Sequence, residues 1–323
     1  MDVGVIGVGV MGKNHLRIYS EMRGVGEVYA YDVDKNSLMK ACNATNATPC
    51  DSLKSLLRKV DAVSICVPTK YHFETAKKVF ESNINFLLEK PVTMTLKEGL
   101  ELVKMAERLS HVVVGVGHIE RFNPIVSEIK SLIDQPKLIE IKRHNPASSR
   151  ITDSDITSDL MIHDIDIIWN YLFEKKQEKQ LHSVGNQDVR KVVAEFDDCI
   201  VSLSASRISC KKIRNIVVEC DKFTIEGDFM TQEVYLYKKP DKYQQDTTKY
   251  TQENIIEKVL INKVEPLKEE LKVFLDSVRN SKAFPVTLEQ GVSNIYLAKK
   301  IEGGSSFANE VIPSQRLITK CFD

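Results

Sequence analysis

Several things are scarce or missing in this sequence, and each absence excludes something. Neither sign of charge dominates: Lys+Arg and Asp+Glu both number 45 in 323 residues. A neutral chain gives no electrostatic argument for nucleic acid or an anionic membrane as partner, and neither is expected. No apolar run approaches the roughly 18 residues that a membrane-spanning helix requires. No basic stretch precedes the first apolar run, so no signal peptide is expected, and the expected compartment is the cytoplasm. The seven cysteines (Cys42, Cys50, Cys66, Cys199, Cys210, Cys220 and Cys321) are scattered and form no C-x-x-C pair. Free thiols in a reducing environment are expected, not a disulfide frame. The histidines and cysteines also lack ligand spacing, so no metal is expected. No internal repeat and no low-complexity tract is present.

Against these absences, 42% of the residues are hydrophobic and the length suits two domains of ordinary size. In the first part, short apolar runs alternate with helical periods. Strand candidates are VGVI (3–6), EVYAYD (27–32), AVSICV (62–67), NFLLE (85–89) and VVVGVG (112–117). Between them, HFETAKKVFES and LKEGLELVKMAERL place apolar residues three and four apart. Ser52 and Thr95 are candidate helix N-caps. Such alternation predicts a parallel sheet covered on both faces. After about residue 120, one helix (123–134), one strand (137–143) and an apolar helix (159–172) lead into closely spaced strands at 191–197, 199–207, 215–220, 222–228 and 233–238. Their spacing predicts an antiparallel sheet, with Asp197-Asp198 as a hairpin turn. The expected architecture is α/β: a dinucleotide-binding Rossmann domain over 1–120, then an α+β substrate-binding and oligomerisation domain over 121–323, built on an open, mainly antiparallel sheet.

The first apolar strand meets Gly7-Val8-Gly9-Val10-Met11-Gly12. In a G-x-G-x-x-G turn the first glycine allows the tight turn, the second lets backbone approach a pyrophosphate, and the third lets helix pack on sheet. The helix N-terminus then offers amides and a favourable dipole to the phosphates. Asp32 ends the next strand about 20 positions on, where an acidic residue meets the ribose hydroxyls. Its carboxylate would repel a 2′-phosphate, no arginine follows it, and Lys35 has Asp34 beside it. NAD is therefore favoured over NADP.

Leu88-Glu89-Lys90-Pro91 follows another apolar strand. Together with the glycine turn, Pro68-Thr69, His72, Gly117-His-Ile-Glu-Arg121-Phe-Asn123-Pro124, Asp159-Leu-Met-Ile-His163-Asp-Ile-Asp166 and the late Glu289-Gln-Gly291, it resembles the glucose–fructose oxidoreductase/inositol dehydrogenase (Gfo/Idh/MocA) family along nearly the whole chain. The resemblance implies NAD(P)-dependent oxidation or reduction of a sugar, cyclitol or related carbonyl. It also implies a homodimer or homotetramer formed through the second domain's sheet. By the same resemblance Lys90, Asp159 and His163 are catalytic. Gly7, Gly9, Val10, Met11, Gly12, Asp32, Pro68, Thr69, His72, Glu89 and Lys90 hold the cofactor, and the Lys90–Pro91 bond is expected to be cis.

Independent chemistry bears on the helix motif. On an α-helix Asp159, His163 and Asp166 share a face at i, i+4 and i+7, and carboxylates a turn away favour a histidine as general base. Whether Lys90 or His163 takes the substrate's proton is open at this point. Arg121, Asn123 and Arg150 join Lys90, Asp159 and His163 as candidate substrate contacts, with Arg121 equally suited to a structural link. The GHIERFNP segment and the Asp159–Asp166 helix look closest to a narrower group that oxidises the C3 hydroxyl of UDP-N-acetylglucosamine. A free-sugar or inositol dehydrogenase and a non-catalytic NAD(H) or sugar sensor are the alternatives. Thr157-Ser158 stands where the family commonly has Gly-Gly or Gly-Val, which puts the local geometry at Asp159 in question.

Overall fold

The computed structural model describes residues 1–146, 155–174, 176–239, 243–246, 249–252 and 255–303. They form two compact units: Met1–Ile119 with Glu265–Tyr296, and Glu120–Val264 with the chain from Leu297.

The first unit is a six-stranded parallel sheet. Its strands are β1 (Val3–Ile6), β2 (Val28–Tyr31), β3 (Thr48–Pro49), β4 (Ala62–Ile65), β5 (Asn85–Glu89) and β6 (Val114–Gly117), in the order β3-β2-β1-β4-β5-β6. Every residue of β1 and β4 is buried, as expected where helices cover both faces of a sheet. Helices α1 (Val10–Glu21), α2 (Lys35–Thr45), α3 (Leu53–Leu57), α4 (His72–Glu81) and α5 (Leu96–Arg108) connect the strands. Their starts follow side-chain chemistry. Asp34 accepts from the amides of Asn36 and Ser37 at α2, and Ser52 accepts from Ser55 N at α3. Thr95 and Glu98 close a capping box on α5, which satisfies two orphan amides reciprocally. In contrast, α1 begins at Gly9 with no side-chain cap and no acidic residue in its first turn.

The second unit opens with α6 (Pro124–Leu132) and β7 (Leu138–His144). The helix that follows, α7, has three consecutive stretches: π-helical Thr157–Met161, α-helical Ile162–Ile167 and π-helical Ile168–Leu172. Then come β8 (Gln180–Gly185), β9 (Val189–Phe196), β10 (Cys199–Ser206), β11 (Ile213–Glu219), β12 (Phe223–Asp228), β13 (Glu233–Lys238), the hairpin β14 (Tyr243–Asp246) and β15 (Lys249–Gln252), and β16 (Ile255–Val259). Seven of these strands join β7 in one eight-stranded sheet, in the order β16-β13-β12-β11-β7-β10-β9-β8. All its pairings are antiparallel except β7 with β10. The expected turn at Asp197-Asp198 joins β9 to β10, with Phe196 opposite Cys199 and Asp197 at φ 50°.

One face of this sheet is covered. Val192, Ala194 and Phe196 are buried on β9. Phe173 stacks on Phe196 with centroids 4.5 Å apart, and Trp169 meets it edge-on at 5.3 Å. Ile125 and Ile129 of α6 lie over Gly227, where a Cβ would approach the Ile129 side chain to 2.7 Å. Val193 and Ile200 alternate onto the other face and are 40% and 50% exposed.

The α/β class and both sheets match expectation, but one segment does not. From sequence, everything beyond residue 120 is expected in the second domain. Helix α8 (Pro266–Arg279) and the chain to Tyr296, which includes the start of α9 (Leu288–Gly303), instead pack with the first unit. The cause is close packing against β6 and α5. Gly115 leaves room for the Phe284 ring, Gly99 for Val292, and Gly291 lies against Val92 and Val116.

Candidate functional site

The turn after β1 is built around its glycines. Gly7 has φ +90°, and a Cβ there would meet Val67 N at 2.8 Å. A Cβ on Gly12 would lie 1.9 Å from the Gly7 carbonyl oxygen, whereas a Cβ on Gly9 would meet nothing within 4 Å. So Gly7 and Gly12 are required by the fold. Gly9 is not; it keeps a space open at the uncapped start of α1. Val10, 67% exposed, flanks that opening, and Met11 is partly exposed beside it. Bare amides, a dipole end and an open backbone fit a pyrophosphate.

Asp32, at the end of β2, is held from both sides. Val8 N donates to its Oδ2 at 2.7 Å and Asp34 N to its Oδ1 at 2.8 Å. Each oxygen keeps a lone pair for a ribose hydroxyl. Lys35 is occupied elsewhere: its Nζ donates to the Asp51 carbonyl at 2.9 Å. It is therefore not free to greet a 2′-phosphate.

Pro68 and Thr69 sit in a short turn after β4, where Tyr71 N donates to Pro68 O at 2.8 Å. His72 is buried behind that turn. Its Nε2 lies 2.9 Å from Val67 O and its Nδ1 2.8 Å from Pro91 O. Only an imidazolium could donate to both carbonyls. Burial outweighs them and pushes the His72 pKa down. The side chain thus ties the turn after β4 to the turn after β5. It was expected among the cofactor contacts, but both ring nitrogens face backbone inside the unit, so it shapes the loops instead.

Glu89 shows the same pattern. It is 7% exposed, and its Oε1 lies 2.9 Å from Nε2 of the fully buried His15. It anchors the β5 end beneath Lys90 and does not reach outward for a cofactor. Lys90 follows on a partly exposed stretch, and the Lys90–Pro91 bond is cis as expected. His15 was not foreseen, although Gly12-x-x-His15 places it on the inward face of α1. Among the described residues, His15, Cys66 and Glu89 bring potential metal-ligand atoms within 4.8 Å of one another. Burial, followed by the Glu89 charge, pushes the Cys66 thiol well above its usual pKa, which disfavours the thiolate that a metal requires.

In the second unit, Asp159 lies within the π-helical stretch and His163 in the α-helical one, both partly exposed. A π-turn closes i→i+5 bonds, so the α-helical spacing argument for a shared face does not carry across Thr157–Met161. Asp166 is already engaged: Arg121 donates to it from Nε at 2.8 Å and Nη2 at 2.6 Å, and Asn170 adds a bond at 3.2 Å. Arg121 is therefore a structural link. Asn123 is buried, caps α6 through Ile125 N, and donates from Nδ2 to Phe229 O at 2.9 Å. Its amide is committed to the fold, which removes it from the substrate contacts. Arg150 lies outside the described residues.

A cluster not anticipated from sequence stands next to this helix. Arg143, 1% exposed, donates to Asp164 from Nε at 2.9 Å and Nη2 at 2.7 Å, and to Glu120 from Nη1 at 3.1 Å. Arg214 shares the same Glu120 oxygen at 3.2 Å. Burial pushes Asp164 up, with Arg143 pulling the other way. No helix among the described residues is long and apolar enough to cross a membrane.

Residues 1–118 match the Gfo/Idh/MocA model, described as an oxidoreductase family with an NAD-binding Rossmann fold. A UDP-N-acetylglucosamine 3-dehydrogenase of Acidithiobacillus ferrooxidans is 29% identical over 248 residues, which cover 73% of this chain and 77% of that protein. An inositol 2-dehydrogenase of Mycolicibacterium gilvum is 30% identical over 186 residues, 54% of this chain and 52% of that one. The solved structure of the A. ferrooxidans enzyme has the same fold, with a TM-score of 0.82 at 24% identity, covering 93% of this chain and 96% of that one.

Proposed function

We propose that the chain is an oxidoreductase of the Gfo/Idh/MocA family, whose NAD-binding Rossmann model matches residues 1–118, and that it oxidises the C3 hydroxyl of UDP-N-acetylglucosamine to the 3-keto sugar in the cytoplasm. The observation that carries the choice of sugar is the likeness to the A. ferrooxidans dehydrogenase across 73% of this chain. The likeness to the inositol enzymes spans about half of it, and a cyclitol or free sugar is the second reading.

In this proposal the Gly7–Gly12 turn and the α1 N-terminus hold the pyrophosphate, and Asp32 holds the adenosine ribose. Pro68 and Thr69 flank the nucleotide, with His72 and Glu89 fixing their loops from behind. Bound NAD supplies the hydride acceptor. Lys90 places an ammonium beside the developing alkoxide and stabilises its charge. His163 takes the hydroxyl proton, with Asp159 orienting the ring. The second unit binds the sugar nucleotide, and its exposed sheet face carries a homodimer or homotetramer contact.

Lys90→Ala tests the assignment: NADH binding stays within about twofold, while kcat falls by about 10³ or more, the scale of one electrostatic catalytic group. A variant that retains kcat removes Lys90 from the chemistry.

A further inference from the structure

The buried charges of the second unit do not balance at their outer edge. Arg143 on β7 and Arg214 on β11 stand opposite each other in register. Their guanidiniums share a single oxygen of Glu120, at 3.1 Å and 3.2 Å. Asp164 neutralises Arg143 from the inner side. Among the described residues Arg214 forms an ion pair with no carboxylate besides Glu120, and its Nε is buried there without a hydrogen-bond partner. Lys212 lies just before β11 and makes no hydrogen bond or ion pair with any described residue. Among the described residues of this cluster, three cations stand against two carboxylates.

The stack is graded from inside to outside. Arg143 is 1% exposed in its side chain and Arg214 is 26% exposed, while Lys212 is on the surface. Like charges this close repel. The Arg214 charge is the largest cause pushing the Lys212 pKa down. Burial, then the charge of Arg143, pushes Arg214 down. Such an arrangement costs energy when nothing faces it, and an anion against its outer end relieves that cost. The donors there are a guanidinium edge and an ammonium, a pair that matches phosphate oxygens.

We propose that Arg214 and Lys212 form a phosphate-recognition site on the second unit, taking the diphosphate of the sugar-nucleotide substrate. Glu120 and Arg143 act behind it as positioning residues: the shared carboxylate oxygen sets where the Arg214 fork points. The assignment of a diphosphate rests on the nucleotide-sugar reading above; the anion site rests on the charges alone.

Lys212 is the residue to change, because its surface position leaves folding intact. Calorimetric titration of the full-length protein with UDP, and separately with inorganic pyrophosphate, reads the site directly. Lys212→Ala weakens both by about tenfold, as expected for loss of one charged contact. Lys212→Glu weakens them further, and Lys212→Arg binds within about threefold of wild type. Raising salt shrinks the difference between wild type and Lys212→Ala. KM for UDP-N-acetylglucosamine rises by the same factor as the UDP dissociation constant. Equal UDP and pyrophosphate affinity in wild type, Lys212→Ala and Lys212→Glu overturns the site, as does a wild-type protein that binds neither. Lys212-dependent UDP binding without turnover of any UDP-sugar keeps the anion site and overturns the substrate reading. UDP-sugar turnover that is indifferent to Lys212 does the reverse.

Discussion

Adding one methyl group at Gly9 and one at Gly12 should have opposite consequences. At Gly12 an alanine Cβ would fall 1.9 Å from the Gly7 carbonyl oxygen. An ordinary contact needs about 3.4 Å, so helix α1 or the turn must move by roughly 1.5 Å. That is backbone against backbone, which no rotamer relieves. Overpacking of this kind costs about 1–3 kcal/mol or more, and Gly12→Ala is expected to melt about 5 °C or more below wild type. At Gly9 a Cβ meets nothing within 4 Å, and the backbone there has φ −66°, which alanine accepts. Stability should stay within about 0.5 kcal/mol of wild type, or rise slightly as the unfolded chain loses freedom. The new methyl occupies the space opened for the pyrophosphate, so NADH binding should weaken at least about tenfold, which is about 1.4 kcal/mol. Thermal melts and fluorescence titration with NADH measure both quantities on the same samples. A Gly9→Ala protein that binds NADH like wild type would refute the placement of the phosphates over the α1 N-terminus.

Two contacts in the first unit have further consequences. Asp32→Asn turns one of the two oxygens held by Val8 N and Asp34 N into a donor facing a donor; KM for NAD should rise about tenfold while KM for NADP changes less, and a steady-state comparison showing an unaltered ratio contradicts the ribose role. Burial lowers the pKa of His72, so below the unfolded value of 6.5 the unfolded chain binds the extra proton and stability is lost as pH falls. Urea unfolding at pH 7.5 and 5.5 should show a steeper loss in wild type than in His72→Gln, by up to about 1.4 kcal/mol per pH unit. Parallel slopes would mean that His72 is not buried neutral.

How far the sequence could be read depended on whether a feature is local. The β1 turn was legible because only glycine tolerates φ +90° at residue 7 or the 1.9 Å approach at residue 12. The caps at Ser52 and Thr95 were legible because each bonds amides three residues on. The strands of the second sheet were legible from alternation, as in β9. The short exposed strand β8 and the peripheral β16 escaped, since neither carries a clear alternating pattern. The return of Glu265–Tyr296 to the first unit was hidden as well: it depends on Phe284 finding Gly115, a contact 169 positions apart that leaves no local trace. At the site, the spacing of Asp159 and His163 reads as α-helical, and nothing in Thr157–Met161 announces a π-turn. Asn123, Glu89 and His72 were recognisable as special residues, but spacing cannot tell a residue facing a ligand from one facing a carbonyl. The Glu120–Arg143–Asp164–Arg214 cluster draws on two strands, on α7 and on the turn that carries Glu120, and the β7–β11 register brings its arginines together.

The central claim is the substrate, and one assay addresses it directly. Purified protein is incubated with NAD and a panel of UDP-N-acetylglucosamine, UDP-glucose, free N-acetylglucosamine and inositol, and NADH is followed by absorbance. NADH is expected to grow with UDP-N-acetylglucosamine at the highest kcat/KM of the panel, with loss of two mass units from the sugar nucleotide. NADH formation with inositol or a free sugar, and none with either UDP-sugar, would contradict it.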